Sequence, residues 1–383
     1  MKSICFISLM NGEPWGGSEE LWYQAALFAT RNKYQVDCIV YDDPKKRLKL
    51  QELDTAGATI YYLPNEGKAQ RTFSEKIKFK ISKKIRIPAL LRAINFKKYD
   101  HVVVSQGEFE TTLSVWKNFW QRLGSYSLLF HNYKEKQKLR PKTLRRLQNW
   151  IDHAAYNLFA SRRICDVLEH LLRTKIPNAD VLINPITFAS PLTPKPWPAL
   201  QDGDYVFVVL AALEVRRKAQ DNLITALSSA PWQNRNWKLH LYGGGIDKEK
   251  IVALIKEKGL EHRVILKGHT SNVEQVLTEA HLLCQMTFID AMPISVVEGL
   301  ACARPVLVSK IGDMPWWVNE GRNGFISTDA SVEEIAKTLE KAWEARERWE
   351  AMGKEGYKVF REKFPADANR LFLDQVEGKV RVM

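Results

Sequence analysis

The stretch YVFVVLAALEVRRKAQDNLITAL, residues 205–227, decides the fold class of this chain. It begins with an apolar run at residues 206–211, which has the length of a buried β-strand, and then passes through a charged turn into helix-length sequence. A strand that leads through a short turn into a helix is the repeating unit of parallel α/β sheets. The stretch therefore predicts one β-α unit of such a sheet.

The same pattern recurs from one end of the chain to the other. Short apolar runs alternate with helix-length segments, as is typical of domains built on parallel sheets. The predicted strands lie at residues 4–9, 36–41, 60–63, 101–105, 127–130, 157–160, 181–183, 206–211, 238–242, 264–266, 282–284 and 305–308. Residues 332–350 and 365–376 are predicted to be helical.

A cluster of prolines divides the chain. Prolines that crowd one short segment, unsuited to a helix or a central strand, stand at Pro185, Pro191, Pro194, Pro196 and Pro198. We therefore predict a linker over residues 185–201, between a Rossmann-like domain at residues 1–184 and a second one at residues 202–350. Residues 351–383 are expected to form a helical tail. Two doubly wound α/β domains of this kind are expected to face a cleft that holds a ligand at the carboxyl ends of both sheets.

The composition excludes several classes of protein. With 383 residues, 45% of them hydrophobic and 26% charged, the chain is neither fibrous nor disordered. No apolar run approaches the roughly 20 residues that a membrane-spanning helix needs. The five cysteines are scattered and form no C-x-x-C pair, which disfavours a disulfide framework or a structural zinc site. This cysteine usage predicts a protein of the reducing cytoplasm.

The formal net charge of +13 is concentrated in two segments. Residues 68–98 carry a net charge of +10 and residues 134–146 one of +6. In the first segment phenylalanine and isoleucine alternate with lysine, so it could lie on an anionic membrane surface, and a merely solvated face is an equally open interpretation. Nucleic acid is not expected as a partner, because no zinc-finger, RRM or KH signature accompanies the basic residues.

Two candidate sites lie where a predicted strand leads into a helix. Gly16 and Gly17 follow the first strand, and there backbone N–H groups can approach an anion while Ser18 can cap the helix. In the second half, Arg216, Arg217 and Lys218 stand in the turn after the strand at residues 206–211. A cation at that place can neutralise a diphosphate leaving group, although a solvated charged turn remains open.

Two further candidates lie downstream. Gly243 opens a run of three glycines at the end of a strand and again permits close backbone approach, although the run lacks the G-x-G-x-x-G spacing. The strongest candidate is residues 288–299, in which Asp290 in a loop and Glu298 on the next helix bracket a proline-containing turn. Glu298 could accept the hydroxyls of a ribose. The backbone of the turn can point toward a ligand at Ala291, Met292, Pro293 and Ile294.

At this turn the chain resembles the family-four glycosyltransferases, which are retaining enzymes of the GT-B fold. The family pattern is a glutamate, seven residues and a second glutamate, with Gly-x-Pro after the first and a Gly-Arg/Lys-Pro-Val strand entry downstream. This sequence has Asp290 and Glu298 at the same separation, residues 291–293 read Ala-Met-Pro, and residues 303–306 read Ala-Arg-Pro-Val.

The resemblance extends over most of the chain. Gly16 and Gly17 look like the family's N-terminal glycine loop, and His131 ends a strand where these enzymes carry a histidine beside the donor sugar. Asn184 and Pro185 resemble the linker entry, and Lys218 matches the diphosphate-binding lysine.

The resemblance implies a metal-independent hexosyltransferase without a cofactor. It would take a nucleotide diphosphate sugar as donor and a glycan or lipid-linked acceptor of the cell surface, with retention at the anomeric carbon. The catalytic group would be His131, Asp290 and Glu298. The N-terminal domain would handle the acceptor, and the enzyme would be cytoplasmic, peripheral at the inner membrane face.

The sequence also departs from the family pattern. Ala212 stands where the family has an arginine on the diphosphate, so Arg216 or Arg217 would have to replace that cation. Asp290 shortens the first glutamate, and Trp316 stands in a downstream element that usually carries a glutamate. The departures at Ala212 and Trp316 keep one alternative open, a noncatalytic nucleotide-sugar-binding protein of the same fold. The basic segments keep a second alternative open, a basic nucleic-acid binder.

If residues 68–98 lie on a membrane, the protein should sediment with vesicles that contain phosphatidylserine and should dissociate as the salt concentration rises. Each basic residue near such a surface contributes about 1 kcal/mol, and salt screens this attraction. Sedimentation at low and physiological salt is the measurement. Equal partitioning onto neutral and anionic vesicles, or none at either salt, would assign the segment to a solvated face.

Overall fold

The computed structural model describes residues 1–10, 15–44, 46–63, 91–109, 119–133, 138–189, 193–292 and 294–382. The chain forms two compact units. The first comprises Met1–Pro185 and Asp367–Met383, and the second comprises Ile186–Ala366. All five cysteines are buried and free.

In the described residues, the first unit contains a parallel sheet of seven strands in the order β3-β2-β1-β4-β5-β6-β7. The strands are β1 (Ser3–Ser8), β2 (Gln35–Tyr41), β3 (Thr59–Leu63), β4 (His101–Gln106), β5 (Tyr126–Phe130), β6 (Tyr156–Phe159) and β7 (Ala179–Val181). The helices are α1 (Gly17–Arg31), α2 (Arg47–Thr55), α3 (Pro141–His153) and α4 (Arg162–Leu172), with 3-10 turns at Phe96–Lys98 and Phe119–Arg122. Every residue of β1 and β4 is buried, whereas the edge strand β3 is partly exposed, as expected when helices cover both faces of a parallel sheet.

The second unit contains a parallel sheet of six strands within the described residues, in the order β10-β9-β8-β11-β12-β13. Its strands are β8 (Tyr205–Leu210), β9 (Trp237–Tyr242), β10 (Val264–Gly268), β11 (Leu282–Gln285), β12 (Val306–Ser309) and β13 (Gly324–Ser327). Its helices are α5 (Val215–Lys218), α6 (Gln220–Leu227), α7 (Ala230–Gln233), α8 (Lys248–Glu257), α9 (Val273–Thr278), α10 (Ile294–Ala301), α11 (Met314–Trp317), α12 (Val332–Glu344) and α13 (Trp349–Lys363), with a 3-10 turn at Arg346–Arg348.

The last helix, α14 (Ala368–Val376), belongs to the first unit. It packs against α1, and its Phe372 stacks on Phe6 of β1 with ring centroids 6.3 Å apart. The side chain of Gln375 donates to Asp180 Oδ2 over 2.7 Å. These contacts make the end of the chain part of the core that its first strands build.

The strands predicted from the sequence are all present, with ends that differ by one or two residues. The predicted strand at 181–183 lies at Ala179–Val181, and β13 was not predicted. Strand β13 has four residues and follows a turn rich in polar residues and glycine, so it lacks a long apolar run. Its register is set by pairing with β12, which the local sequence does not encode.

One buried arginine holds the N-terminal segment of the second unit. The guanidinium of Arg304, which is fully buried, donates to the carbonyls of Leu277, Thr278 and Ala303, and to that of Pro196 over 2.6 Å. Burial lowers the pKa of Arg304 to about 10, so the group is still charged at neutral pH. Arg304 of the motif therefore holds the proline-rich segment to the core through the carbonyl of Pro196.

We expect Arg304→Lys to lower the free energy of unfolding by about 2 to 4 kcal/mol, because an ammonium cannot replace the planar fork and leaves buried carbonyls without a donor. The measurement is the midpoint of urea unfolding. The control is Arg322→Lys, which changes an exposed arginine paired with Glu355 at 3.1 Å and should stay within about 0.5 kcal/mol of the parent. Equal effects of the two substitutions would contradict this role of Arg304.

Candidate functional site

The strand order of the second sheet creates a switch point between β8 and β11. From β8 the chain builds β9 and β10 on one side, and then returns to build β11 on the other side. The loops that leave the carboxyl ends of two such strands diverge, and open α/β sheets bind their ligands there. Lys218 follows β8 and Asp290 follows β11, so the two sequence-predicted residues lie on the two sides of this point.

Lys218 and Asp290 form an ion pair. The Nζ atom of Lys218 lies 2.5 Å from Oδ2 of Asp290, and each side chain is 16% exposed. The other carboxylate oxygen of Asp290 accepts from the N–H of Ala291 over 2.9 Å. The predicted diphosphate cation and the first carboxylate of the motif are therefore in direct contact, and Asp290 balances the charge of Lys218.

Backbone contacts bring the two residues together. The carbonyl of Arg217 accepts from the N–H of Phe288 over 2.8 Å and from the hydroxyl of Thr287 over 2.6 Å. These bonds fasten the loop after β11 to the short helix α5, whose last residue is Lys218. The backbone of Arg217 thus anchors residues 287 and 288 of the loop that carries Asp290.

A glycine supports the same loop from its other side. Gly312 has a φ of +55°, and a Cβ at this position would lie 2.2 Å from the carbonyl oxygen of Ala291. The next residue, Asp313, donates its N–H to that carbonyl over 2.9 Å. Met292 is buried, and Pro293 lies outside the described residues. The turn around Asp290 is therefore held between α5 and the loop that follows β12.

Glu298 is buried on α10 and is 3% exposed. Its Oε1 atom accepts two hydrogen bonds from Thr187, from the backbone N–H over 2.9 Å and from the hydroxyl over 2.6 Å. Burial raises the pKa of Glu298, and the two hydrogen bonds from Thr187 oppose that rise. Thr187 was not among the residues predicted from the sequence, because no motif spacing connects it with a position 111 residues away.

The two neighbouring arginines are placed differently from Lys218. Arg216, Arg217 and Ala212 are all exposed. The guanidinium of Arg217 lies 3.5 Å from a carboxylate oxygen of Glu214, a surface pair of the kind that contributes about 0 to 1 kcal/mol. Replacement of the missing arginine by Arg216 or Arg217 stays a prediction.

The glycine run after β9 packs on the backbone after β8. Gly243 has a φ of +139°, and a Cβ at this position would lie 2.0 Å from the carbonyl oxygen of Ala211. At Gly245 a Cβ would lie 2.3 Å from the carbonyl oxygen of Leu213, whereas at Gly244 no atom of the described residues would lie within 4 Å of it. The close approach expected at Gly243 is thus made to the protein's own chain.

Trp316, the residue that departs from the family pattern, is partly buried. The ammonium of Lys363 lies 4.7 Å from the centroid of its ring and donates to its backbone carbonyl. An aromatic ring under a cation has here the place that the family pattern gives to a carboxylate.

In the first unit, Gly16 and Gly17 mark the start of α1. Gly16 is the N-cap, and its carbonyl accepts from the N–H groups of Glu19 and Glu20 over 3.0 and 2.9 Å. The prediction that Ser18 caps the helix is wrong, because the helix already begins at Gly17 and no side chain caps it. Among the described residues, no atom would lie within 4 Å of a Cβ at Gly16.

Below this glycine pair lies a buried ion pair that the sequence did not reveal. Glu19 and Lys46, with side chains 2% and 3% exposed, are in contact. Glu19 also accepts from the hydroxyl of Ser8 over 2.9 Å and from the indole of Trp22, and Lys46 donates to the carbonyl of Met10. The network connects the end of β1 with the first turn of α1. In the sequence Lys46 is one of several lysines in a basic stretch, and nothing there marks it as buried.

His131 follows β5 and is 4% exposed. Its Nε2 atom lies 2.9 Å from the hydroxyl oxygen of Ser105, at the end of β4. Burial lowers the pKa of His131 to about 4, so the imidazole is neutral at physiological pH. The ring is paired with a side chain, and its predicted place beside a donor sugar stays a prediction.

The described residues contain no helix that is long and apolar enough to cross a membrane. Nor do they contain a group of three histidine, cysteine, aspartate or glutamate side chains that could hold a metal ion. Of the two basic segments, residues 68–90 and 134–137 lie outside the described residues. In the second segment, Lys142 and Arg145 are exposed on α3.

Comparison with known proteins agrees with this architecture. Residues 195–359 match the model of the family described as "Glycosyl transferases group 1". Among solved structures, HepE of Anabaena in complex with UDP is similar with a TM-score of 0.71 at 17% identity, over 99% of this chain and 100% of that chain.

Curated proteins are similar over parts of their length. The chain is 27% identical over 126 residues to poly(ribitol-phosphate) alpha-N-acetylglucosaminyltransferase of Staphylococcus aureus. The aligned region covers 33% of this chain and 26% of that protein. The chain is 25% identical over 199 residues to lipopolysaccharide 1,6-galactosyltransferase of Salmonella typhimurium, which covers 50% of this chain and 53% of that protein. The chain thus spans about half of these relatives or less.

The two parallel α/β units and these similarities define a protein of the GT-B fold, as predicted. The resemblance to glycosyltransferases is confirmed as well, because residues 195–359 match the model of the group 1 glycosyl transferases. Nothing in the fold or in these similarities favours the two alternatives that the sequence left open.

We expect Gly243→Ala to lower the stability of the protein by about 1 to 3 kcal/mol, because the new Cβ meets a backbone carbonyl and the residue keeps a positive φ. Gly244→Ala is the matched control and should stay within about 0.5 kcal/mol of the parent. Thermal unfolding of the two variants is the measurement. A tolerated Gly243→Ala would show that this glycine is not needed for the packing of the two loops.

Proposed function

We propose that this protein is a retaining glycosyltransferase that moves a hexose from a nucleoside diphosphate sugar to an acceptor. The observation that carries the proposal is the contact of Lys218 with Asp290 at the switch point of the second sheet. Asp290 stands eight positions before Glu298, which is buried. A cation for phosphate and a carboxylate for ribose hydroxyls, both beyond the carboxyl ends of one sheet, suit a nucleoside diphosphate.

The leaving group of the reaction is a diphosphate, and its developing negative charge must be stabilised. Lys218 would carry out this role once the diphosphate exchanges with Asp290 as its partner. Asp290, released from the ion pair, can then accept a hydrogen bond from a hydroxyl of the donor sugar. Before the donor binds, the ion pair leaves neither of the two partly buried charges unpaired. After the exchange, the carboxylate of Asp290 keeps the N–H of Ala291 as a donor and gains the sugar hydroxyl as a second one.

The remaining groups would orient the donor. Glu298 would accept hydrogen bonds from the ribose hydroxyls, and the backbone at residues 290–292 and at Ile294 would face the sugar. His131, as a neutral imidazole, could donate or accept one hydrogen bond with a sugar hydroxyl. In this proposal Lys218 supplies the positive charge at the diphosphate, and a metal ion is not required for that step.

The acceptor is proposed to be a glycan or a lipid-linked glycan of the cell surface. The support is the similarity to two enzymes named for poly(ribitol-phosphate) and for lipopolysaccharide. The cytoplasmic location and the seating of residues 68–98 on an anionic membrane belong to the same proposal.

The test is a thermal-shift screen with UDP, GDP and ADP sugars, followed by measurement of nucleoside diphosphate release. Sugars that carry one of these three nucleotides should raise the midpoint temperature of unfolding. A ligand at 100 times its Kd stabilises the folded protein by about 2.7 kcal/mol. Lys218→Met should abolish that shift. Lys354→Met, which changes an exposed lysine 2.6 Å from Glu350, should retain it.

The possible outcomes separate the alternatives. Binding of a donor without release of the nucleoside diphosphate, with or without candidate acceptors, would indicate a noncatalytic binding protein. No shift with any nucleotide, or an equal shift in Lys218→Met and Lys354→Met, would contradict the proposed donor site.

A further inference from the structure

We propose that Thr187 is a positioning residue that holds Glu298 in place for the ribose of the donor. The inference rests on the proposed function and adds a residue that no motif of the sequence marks. It is carried by the two hydrogen bonds from Thr187 that converge on a single oxygen of Glu298.

The two carboxylate oxygens of Glu298 have different hydrogen-bonding roles. Each carboxylate oxygen can accept about two hydrogen bonds. The N–H and the hydroxyl of Thr187 occupy both positions on Oε1. Oε2 then accepts the hydrogen bonds from the ribose hydroxyls. Thr187 fixes the rotation of the carboxylate about the bond that joins it to the side chain.

The hydrogen bonds also favour the charged form of the carboxylate. Glu298 is buried, and burial raises its pKa, which favours the protonated form that accepts fewer hydrogen bonds. The two donors of Thr187 stabilise the charged form and oppose this rise. Cys302, one turn further along the chain, interacts with Glu298 and also with Arg304, Glu274 and Lys195; burial raises the pKa of its thiol to about 12, so it stays neutral.

The position of Thr187 in the chain gives the contact a second property. Thr187 is the second residue of the second unit, which begins at Ile186. The first residues of this unit therefore contact Glu298, the carboxylate that is proposed to hold the ribose. Displacement of this segment would withdraw two donors from Glu298 and weaken its grip on the nucleoside.

The experiment compares Thr187→Val with Thr187→Ser. Valine has nearly the shape of threonine but removes the hydroxyl donor and leaves the backbone N–H, whereas serine keeps both donors. We expect Thr187→Val to raise the Kd of the matching ribonucleoside diphosphate about tenfold, since a hydrogen bond to a charged group is lost. Thr187→Ser should restore the parent affinity to within about twofold.

Two readouts separate positioning from a merely structural effect. First, the 2′,3′-dideoxy analogue of the same nucleoside diphosphate lacks the hydroxyls, so its Kd should be the same in the parent and in Thr187→Val. Second, the pKa of Glu298, measured by carbon-13 NMR and assigned with Glu298→Gln, should rise by about one unit in Thr187→Val. Because the charged form is needed, binding should then be lost at a higher pH than in the parent as the pH falls.

The NMR titration needs no ligand, so it distinguishes the failure of this inference from failure of the proposed function. An unchanged pKa of Glu298 in Thr187→Val would overturn the inference even if the parent binds nucleotides well. Equal weakening of the ribose and dideoxy ligands would also overturn it, since the effect would then not pass through the ribose. If the parent binds no nucleotide at all, the donor site is wrong, and the claim about the ribose fails with it.

Discussion

The ion pair between Lys218 and Asp290 is the contact on which the candidate site depends. Seventy-two residues separate the partners, and they meet because β8 and β11 are neighbours in the sheet although β9 and β10 lie between them in the sequence. The carbonyl of Arg217 then fixes the loop that carries Asp290. Asp290 balances the charge of Lys218, so an anion that binds there must offer Lys218 more than this single carboxylate does.

The sequence was sufficient for the β-α alternation, because strands that are buried on both faces, such as β1 and β8, are continuous apolar runs. It also marked Lys218 and Asp290 one by one, through charge and through family resemblance. It did not show that they touch, since strand order is not encoded in local pattern. Thr187 and the buried pair of Glu19 with Lys46 were out of reach for the same reason: their partners lie far away in the chain.

Several residues of the motifs serve the protein's own backbone. Gly243 makes room for the carbonyl of Ala211, Gly312 does so for Ala291, and Arg304 donates to four backbone carbonyls. A motif of this kind therefore describes two things together: the groups that are offered to a ligand, and the close packing that holds their loops at the edge of the sheet. Substitution of a residue that serves the packing affects the site indirectly, because it lowers the stability of the loops that carry the ligand-facing groups.

The membership of α14 in the first unit has a consequence for the order of events during synthesis. The ribosome completes the strands of the first sheet, then the whole second unit, and only afterwards the helix that covers Phe6 and Asp180. The nascent first unit thus carries an uncovered apolar surface on α1 while the following 181 residues, Ile186–Ala366, are translated. Chaperones that recognise exposed apolar surface have their longest opportunity to bind at this face.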